Sequence, residues 1–127
     1  MAGTVLVVED EPDILLAVSL NLRLAGHRVL EAPTGEAAVS MMDQEVPDLM
    51  LLDLRLPGID GFDVLQHVRD EERLRHLPVI VVSAHASPNT VERVHELGCS
   101  AYVTKPFQLD RLLSVVDEHI GGKAKQS

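Results

Sequence analysis

The stretch Leu49-Met50-Leu51-Leu52-Asp53-Leu54-Arg55-Leu56-Pro57-Gly58 decides the fold. An apolar run of strand length ends in one carboxylate and then breaks into a Pro/Gly turn. A strand buried on both faces reads this way, because neither face has to alternate with polar residues. A charge is costly inside such a layer and useful at a cleft. Asp53, placed where the strand ends, is therefore the candidate reactive group.

The flanking chain repeats the pattern. Thr4–Val8 is a β-branched run that predicts a buried strand, and it stops at Glu9-Asp10-Glu11-Pro12. Pro12 suits a first helical turn, where Asp13 meets the positive end of the helix dipole. Ile14, Leu15, Val18, Leu22 and Ala25 then recur at helical spacing, and Gly26 is a natural C-cap. Arg28–Ala32 reads as a less apolar strand nearer an edge. A second helix starts at Thr34-Gly35 and ends at Val46-Pro47-Asp48. Past the central strand, Leu56 to Gly61 is a turn-rich loop. Residues 62 to about 74 are predicted helical, with Arg69, Asp70, Glu71, Glu72 and Arg73 as a solvated face. Pro78 introduces a fourth buried strand over 79–82, and Ser87-Pro88 starts a helix that stops at Gly98. A fifth strand over 100–104 ends at Lys105-Pro106. The apolar runs place the first, third, fourth and fifth strands inside the sheet or nearly so. The last helix carries Leu109, Leu112, Leu113, Val116 and Ile120 and is expected to stop at Gly121-Gly122. Residues 1–121 then make one domain, and 122–127 a flexible tail or the start of a linker. Strand and helix alternate five times, which implies a parallel sheet with helices on both faces and right-handed crossovers.

Composition narrows the function. Hydrophobic residues make up 46% of the 127, but only 2% are aromatic, so the core must be aliphatic. Twenty acidic residues against 11 basic give a net charge of −9, which argues against direct nucleic-acid binding. The lone Cys99 excludes an internal disulfide and reads as a small core residue. Met1-Ala2-Gly3-Thr4 has no basic region before an apolar stretch, so no signal peptide is expected, and no apolar run approaches the roughly 20 residues of a membrane span. The expectation is a cytoplasmic protein with no membrane contact. No dinucleotide or P-loop glycine motif is present. The six histidines show no metal-ligand pairing, and His85, two residues past Ser83, is the one candidate to line a site.

In open parallel sheets, ligands bind beyond the carboxyl ends of the strands. The first strand ends in Glu9 and Asp10, the third in Asp53, the fourth in Ser83 and the fifth in Lys105, all at one rim. Three carboxylates that close repel, and either raised pKa values or a bound cation relieves them. Carboxylates with a backbone carbonyl suit Mg²⁺. A lysine ammonium and a hydroxyl suit phosphoryl oxygens. Together these groups make a phosphoryl-transfer kit with a carboxylate nucleophile. Taken singly, each has a plainer reading: a helix-dipole cap, a structural serine, a solvated lysine. Their coincidence on one rim is what points to chemistry.

Val7-Val8-Glu9-Asp10-Glu11-Pro12, the run from Leu52 to Gly61, Val82-Ser83-Ala84 and Lys105-Pro106-Phe107 resemble the receiver domain of two-component response regulators, over about residues 4–120. The resemblance implies a flavodoxin-like, doubly wound α/β fold: a five-stranded parallel sheet in order 2-1-3-4-5 with five helices on both faces. It makes Asp53 the phosphoacceptor, fed by a phosphohistidine on a sensor histidine kinase or a histidine phosphotransfer protein. Asp10 becomes the direct Mg²⁺ ligand, with Glu9 its acidic partner, Asp53 and the backbone carbonyl of Arg55 completing the protein's share, and Mn²⁺ able to substitute. Ser83 corresponds to the switch hydroxyl, Lys105 to the lysine that pairs with the phosphoryl group, and Tyr102 to the aromatic residue that turns inward. A cis peptide precedes the matching Pro106 in the family. The surface of the fourth helix, fifth strand and fifth helix would change to control an output and would offer a face for a homodimer, while the first helix would face the kinase. Such a chain is a phosphoacceptor that takes part in its own phosphorylation and autodephosphorylation, not an enzyme. Glu9 stands where Asp is common and Ser83 where Thr is; Arg55 and His85 occupy variable positions that tune phosphoryl lifetime. The alternative is an aspartate-nucleophile phosphohydrolase of the haloacid-dehalogenase type. That family carries a second Asp two residues past its nucleophile, where this chain has Arg55, and a cap domain that this chain is not expected to have.

Overall fold

A computed structural model of the chain describes residues 3–84 and 87–125, with side chains as far as Ile120. The elements are β1 (Thr4–Val8), α1 (Pro12–Leu24), β2 (Arg28–Ala32), α2 (Gly35–Gln44), β3 (Leu49–Leu52), α3 (Gly61–Asp70), β4 (Val79–Ser83), α4 (Pro88–Glu96), β5 (Ala101–Thr104) and α5 (Leu109–Lys125). All strand pairs are parallel, in the order β2-β1-β3-β4-β5. Among the described residues no helix is long and apolar enough to cross a membrane.

Strand alternation divides the aliphatic residues between two cores. Leu6, Val8, Met50, Leu52, Val79 and Val81 face one side and pack against Ala38 and Met42 of α2, Val64, Leu65 and Val68 of α3, and Val94 of α4. Val5, Val7, Leu49, Leu51, Ile80 and Val82 face the other, against Val18 and Leu22 of α1 and Leu112, Val115, Val116 and Ile120 of α5. Every residue of β3 is buried, as a central strand covered on both faces requires. Truncating one of these leucines to Ala would cost about 2–5 kcal/mol.

Local signals set the helix starts. Thr34 and Ser87 cap α2 and α4 with their side chains, and Pro12 and Pro88 occupy first-turn positions. Asp60 and Asp63 form a reciprocal capping box that fixes the start of α3. Gly26 and Gly98, at φ +98° and +81°, terminate α1 and α4.

Four expectations need correction. β5 is an edge strand with only Val103 buried; its short apolar run is not matched by cover on both faces. α3 ends at Asp70 and not near 74, because the chain must turn to bury Leu74 and Leu77. The charge run after it is not a uniformly solvated face: Arg69 is half-buried and bonded to backbone carbonyls, and Arg73 donates to Met42 O at the end of α2. Finally, α5 continues through Gly121-Gly122 to Lys125. Glycine in a helix costs only about 1 kcal/mol against alanine, and the Lys-Ala-Lys that follows favours helix.

Candidate functional site

The ladder hydrogen bonds run one residue beyond the strands and pin the rim residues. The amide of Glu9 donates to Ala32 O (3.0 Å), that of Asp53 to Val8 O (3.0 Å) and that of Lys105 to Ser83 O (2.9 Å). Alternation then sets their directions. Glu9, Asp53 and Lys105 continue the parity of Val7, Leu51 and Val103, on the α1/α5 side. Ser83 continues the parity of Val79 and Val81, on the α2–α3–α4 side, where Tyr102 also packs.

The first group meets. Lys105 Nζ lies 2.7 Å from Glu9 Oε1 and 3.0 Å from Asp53 Oδ2, with Glu11 Oε1 at 3.4 Å. The other oxygens of the two buried carboxylates also have partners: Glu9 Oε2 accepts from Glu11 N, and Asp53 Oδ1 from Arg55 N, each at 3.1 Å. Glu9 and Asp53 are each 4% exposed, and a charge so buried needs this compensation. Burial pushes the Glu9 carboxyl above its usual range, opposed by the Lys105 hydrogen bond. Burial acts on Lys105 in the opposite sense, but its bonds to Glu9 and Asp53 outweigh it and hold the ammonium charged, well above the ordinary lysine value. Asp10 is exposed, yet its carboxylate can present an oxygen within 4.8 Å of oxygens from Glu9 and Asp53. An all-oxygen trio of this kind fits a hard divalent cation such as Mg²⁺.

Ser83 is fully buried, and the Tyr102 hydroxyl lies against it. Burial raises the phenol above its usual value, and the Ser83 hydroxyl partly offsets that. The contact falls short of well-formed hydrogen-bond geometry, which leaves the buried Tyr102 oxygen without a full partner. The Lys105–Pro106 bond is cis, as the resemblance implies. His85 lies outside the described residues.

The loop from Leu54 to Asp60 is shaped from two sides. Gly61 packs so closely under β3 that a Cβ there would lie 2.5 Å from Asp53 O and from Leu54 Cα. Glu36, at the start of α2, accepts from Ile59 N (3.3 Å) and fills the space beside Gly58, whose φ is +74°. Neither Glu36 nor the contact of Glu11 with Lys105 is apparent from the sequence. Glu36 stands in the first turn of α2, and Glu11 reads in the sequence as the third member of an acidic cap. Between this loop and α4 lies an open groove of about 660 Å³, lined by Asp10, Arg55, Pro57, Asp60, Phe62 and Thr90 among others.

The family model described as the response regulator receiver domain matches residues 5–117. The polar-differentiation response regulator DivK of Brucella ovis is 31% identical over 121 residues, 95% of this chain and 98% of that protein. A solved receiver domain of sensor histidine kinase PA1611 from Pseudomonas aeruginosa PAO1, with a magnesium ion coordinated in its active site cleft, is 30% identical and superposes with a TM-score of 0.86 over 95% of this chain and 99% of that one. A CheY-like receiver domain protein from Methanospirillum hungatei JF-1 shares the fold over 100% of both chains, with a TM-score of 0.92 at 24% identity. With its sheet order and its acid–lysine rim, the chain belongs to the response regulator receiver domains of two-component systems.

Proposed function

We propose that Asp53 accepts one phosphoryl group, with Mg²⁺ held by Asp10, Asp53 and the Arg55 carbonyl and with Glu9 beside them. The observation that carries this reading is the Lys105 ammonium set between Asp53 and Glu9 at one strand-end rim. Asp53 Oδ attacks phosphorus, the P–N bond of a phosphohistidine breaks, and the imidazole leaves with its electron pair. The bound cation supplies positive charge for the phosphoryl oxygens. Lys105 supplies a second positive charge, and its contact with Asp53 gives way to one with the new phosphoryl group. Asp53 is nucleophile and carrier at once, so the reaction is stoichiometric.

The donor is a histidine kinase or a histidine phosphotransfer protein docking on α1. Leu16, Leu20 and Leu24 recur every fourth residue there and are 64%, 51% and 76% exposed, an apolar stripe leading from the rim and suited to a partner helix. Phosphorylation adds about −2 charge and three acceptors. Ser83 rearranges toward them, Tyr102 follows, and the α4–β5–α5 surface changes for an output or a second copy of the chain. The shallow packing of α4, which buries Val94 alone, supports this.

The test is to incubate the chain with Mg²⁺ and acetyl phosphate and measure intact mass. A gain of one phosphoryl, lost in Asp53→Asn, is expected. No gain in the native protein would sink the proposal, and repeated turnover of a small phosphate ester would favour the hydrolase reading instead.

A further inference from the structure

The loop that carries Arg55 is tied at two places. Gly61 N donates to Leu54 O at 2.9 Å and closes residues 54–61 into one turn. Inside it, Arg55 N donates to Asp53 Oδ1 at 3.1 Å. That tie uses an oxygen of the reacting carboxylate, so it cannot fix the loop independently of what the carboxylate binds. The second tie lies on the far side of the loop, where Ile59 N donates to Glu36 Oε2 at 3.3 Å. It joins residues 23 positions apart, and neither Asp10, Asp53 nor Lys105 takes part in it.

The first turn of α2 fits closely against this loop. Thr34 Oγ1 accepts from Ala37 N at 3.0 Å and fixes that turn. A Cβ at Gly35 would come 2.8 Å from Ile59 O and 2.9 Å from Val64 Cγ2, so glycine is what lets the turn approach so near. A Cβ at Gly58 would come 2.9 Å from Glu36 Oε1 and nearer still to Oε2, and the φ of +74° there already favours glycine. The Glu36 carboxylate thus occupies the space beside Gly58 while one of its oxygens takes the next amide. The helix does not need this arrangement, because a first-turn acid facing solvent serves the dipole of α2 equally well.

We propose that Glu36 is a positioning residue for the divalent cation: from the first turn of α2 it holds Gly58-Ile59 and so keeps the Arg55 carbonyl available as a ligand. This role rests on the phosphoacceptor reading of the rim and adds to it a residue that lies outside the rim. Groups behind a metal ligand matter because they hold it where the ion needs it, and Mg²⁺ accepts little departure from octahedral geometry. Without the outer tie, the loop keeps the same ligand but holds it in place for less of the time. The apparent affinity for the ion falls by that fraction.

Calorimetric Mg²⁺ titration of the full chain tests this by comparing Glu36→Ala with Glu36→Gln. The side-chain oxygen of Gln still accepts from Ile59 N but carries no charge. Glu36→Ala is expected to weaken Mg²⁺ binding about threefold to tenfold, and Glu36→Gln to stay within about twofold of native. Both variants lose the same first-turn acid and its dipole stabilisation, so a merely structural role moves the two alike. Equal weakening in both leaves only the field of the lost charge and overturns the positioning role, as does native affinity in Glu36→Ala. Amide exchange in EDTA reads the tie without metal: Ile59 should exchange faster in Glu36→Ala than in Glu36→Gln, and equal rates overturn the tie. A native chain that binds Mg²⁺ but gains no phosphoryl group from acetyl phosphate sinks the phosphoacceptor reading alone, with the Glu36 comparison still deciding. A native chain that binds no Mg²⁺ overturns the positioning role as well.

Discussion

Lys105 and Asp53, 52 residues apart, meet at 3.0 Å between Nζ and Oδ2. The same ammonium lies 2.7 Å from Glu9, so one positive charge serves two buried carboxylates while Asp10 adds a third acid to the cluster. The charges do not balance, and the excess is negative. The site therefore holds repulsion that a divalent cation relieves.

Removing one acid should relieve it too. Asp10→Asn is expected to raise the melting temperature in metal-free buffer by about 2–4 °C, the stability–function trade of a strained site. Saturating Mg²⁺ should stabilise the native protein, by about 1.4 kcal/mol at tenfold excess over Kd, and should do little for the variant. Thermal melts with EDTA and with Mg²⁺ check both statements. A variant that melts lower without metal would show that the carboxylates are not in conflict.

Gly61 tests how rigidly Asp53 is set. A Cβ at this position would meet backbone atoms, Asp53 O and Leu54 Cα, each at 2.5 Å. Backbone cannot swing aside as a side chain can. Gly61→Ala is expected to destabilise by about 2 kcal/mol or more through overpacking and to slow phosphorylation by acetyl phosphate, because the displaced atoms belong to the acceptor residue Asp53 and its neighbour Leu54. Urea midpoints and initial rates measure the two effects. Unchanged values for both would mean that α3 shifts freely against β3.

The rim residues are readable from sequence because each follows an abrupt end to an apolar run, and parallel strands bring such ends together. Position 69 shows why the rest is not. Arg69-Asp70-Glu71-Glu72-Arg73 looks like any solvated run, and the carbonyls that Arg69 serves, at positions 75, 77, 97 and 98, reach it only through tertiary folding. The same holds for Glu36, whose partner Ile59 lies 23 residues away. β5 misleads for another reason: composition reports burial of single residues such as Val103, while its edge position follows from the order of the sheet.

Tyr102 offers a spectroscopic handle on Ser83. The chain has one tyrosine and no tryptophan, so phenolate absorbance reports this residue alone. Burial raises its pKa and Ser83 lowers it. The folded protein should therefore ionise above the unfolded value of about 10, and Ser83→Ala should push the midpoint higher still. The linkage has a fixed sign. A group whose folded pKa is raised contributes stability that is full below the unfolded pKa and is lost as pH rises through the folded one. Stability should thus fall above pH ~10. A native titration curve that overlays the urea-unfolded one would refute the burial of the hydroxyl.

The leucine stripe of α1 separates docking from chemistry. Leu20, 51% exposed between Leu16 and Leu24, makes little contribution to the core, so Leu20→Asp should change stability by no more than about 0.5 kcal/mol. It lies on a helix that starts beside the acidic rim but contributes no group to the Lys105 cluster. Phosphorylation by acetyl phosphate should therefore be unchanged. Transfer from a phosphorylated histidine kinase or phosphotransfer protein should fall by about tenfold or more, the effect of losing one well-buried apolar anchor and placing a charge in its seat. Measuring both donors on one preparation makes the comparison internal. An equal loss with both donors would place the defect in the site itself, and an equal rate with both would remove α1 from the docking face.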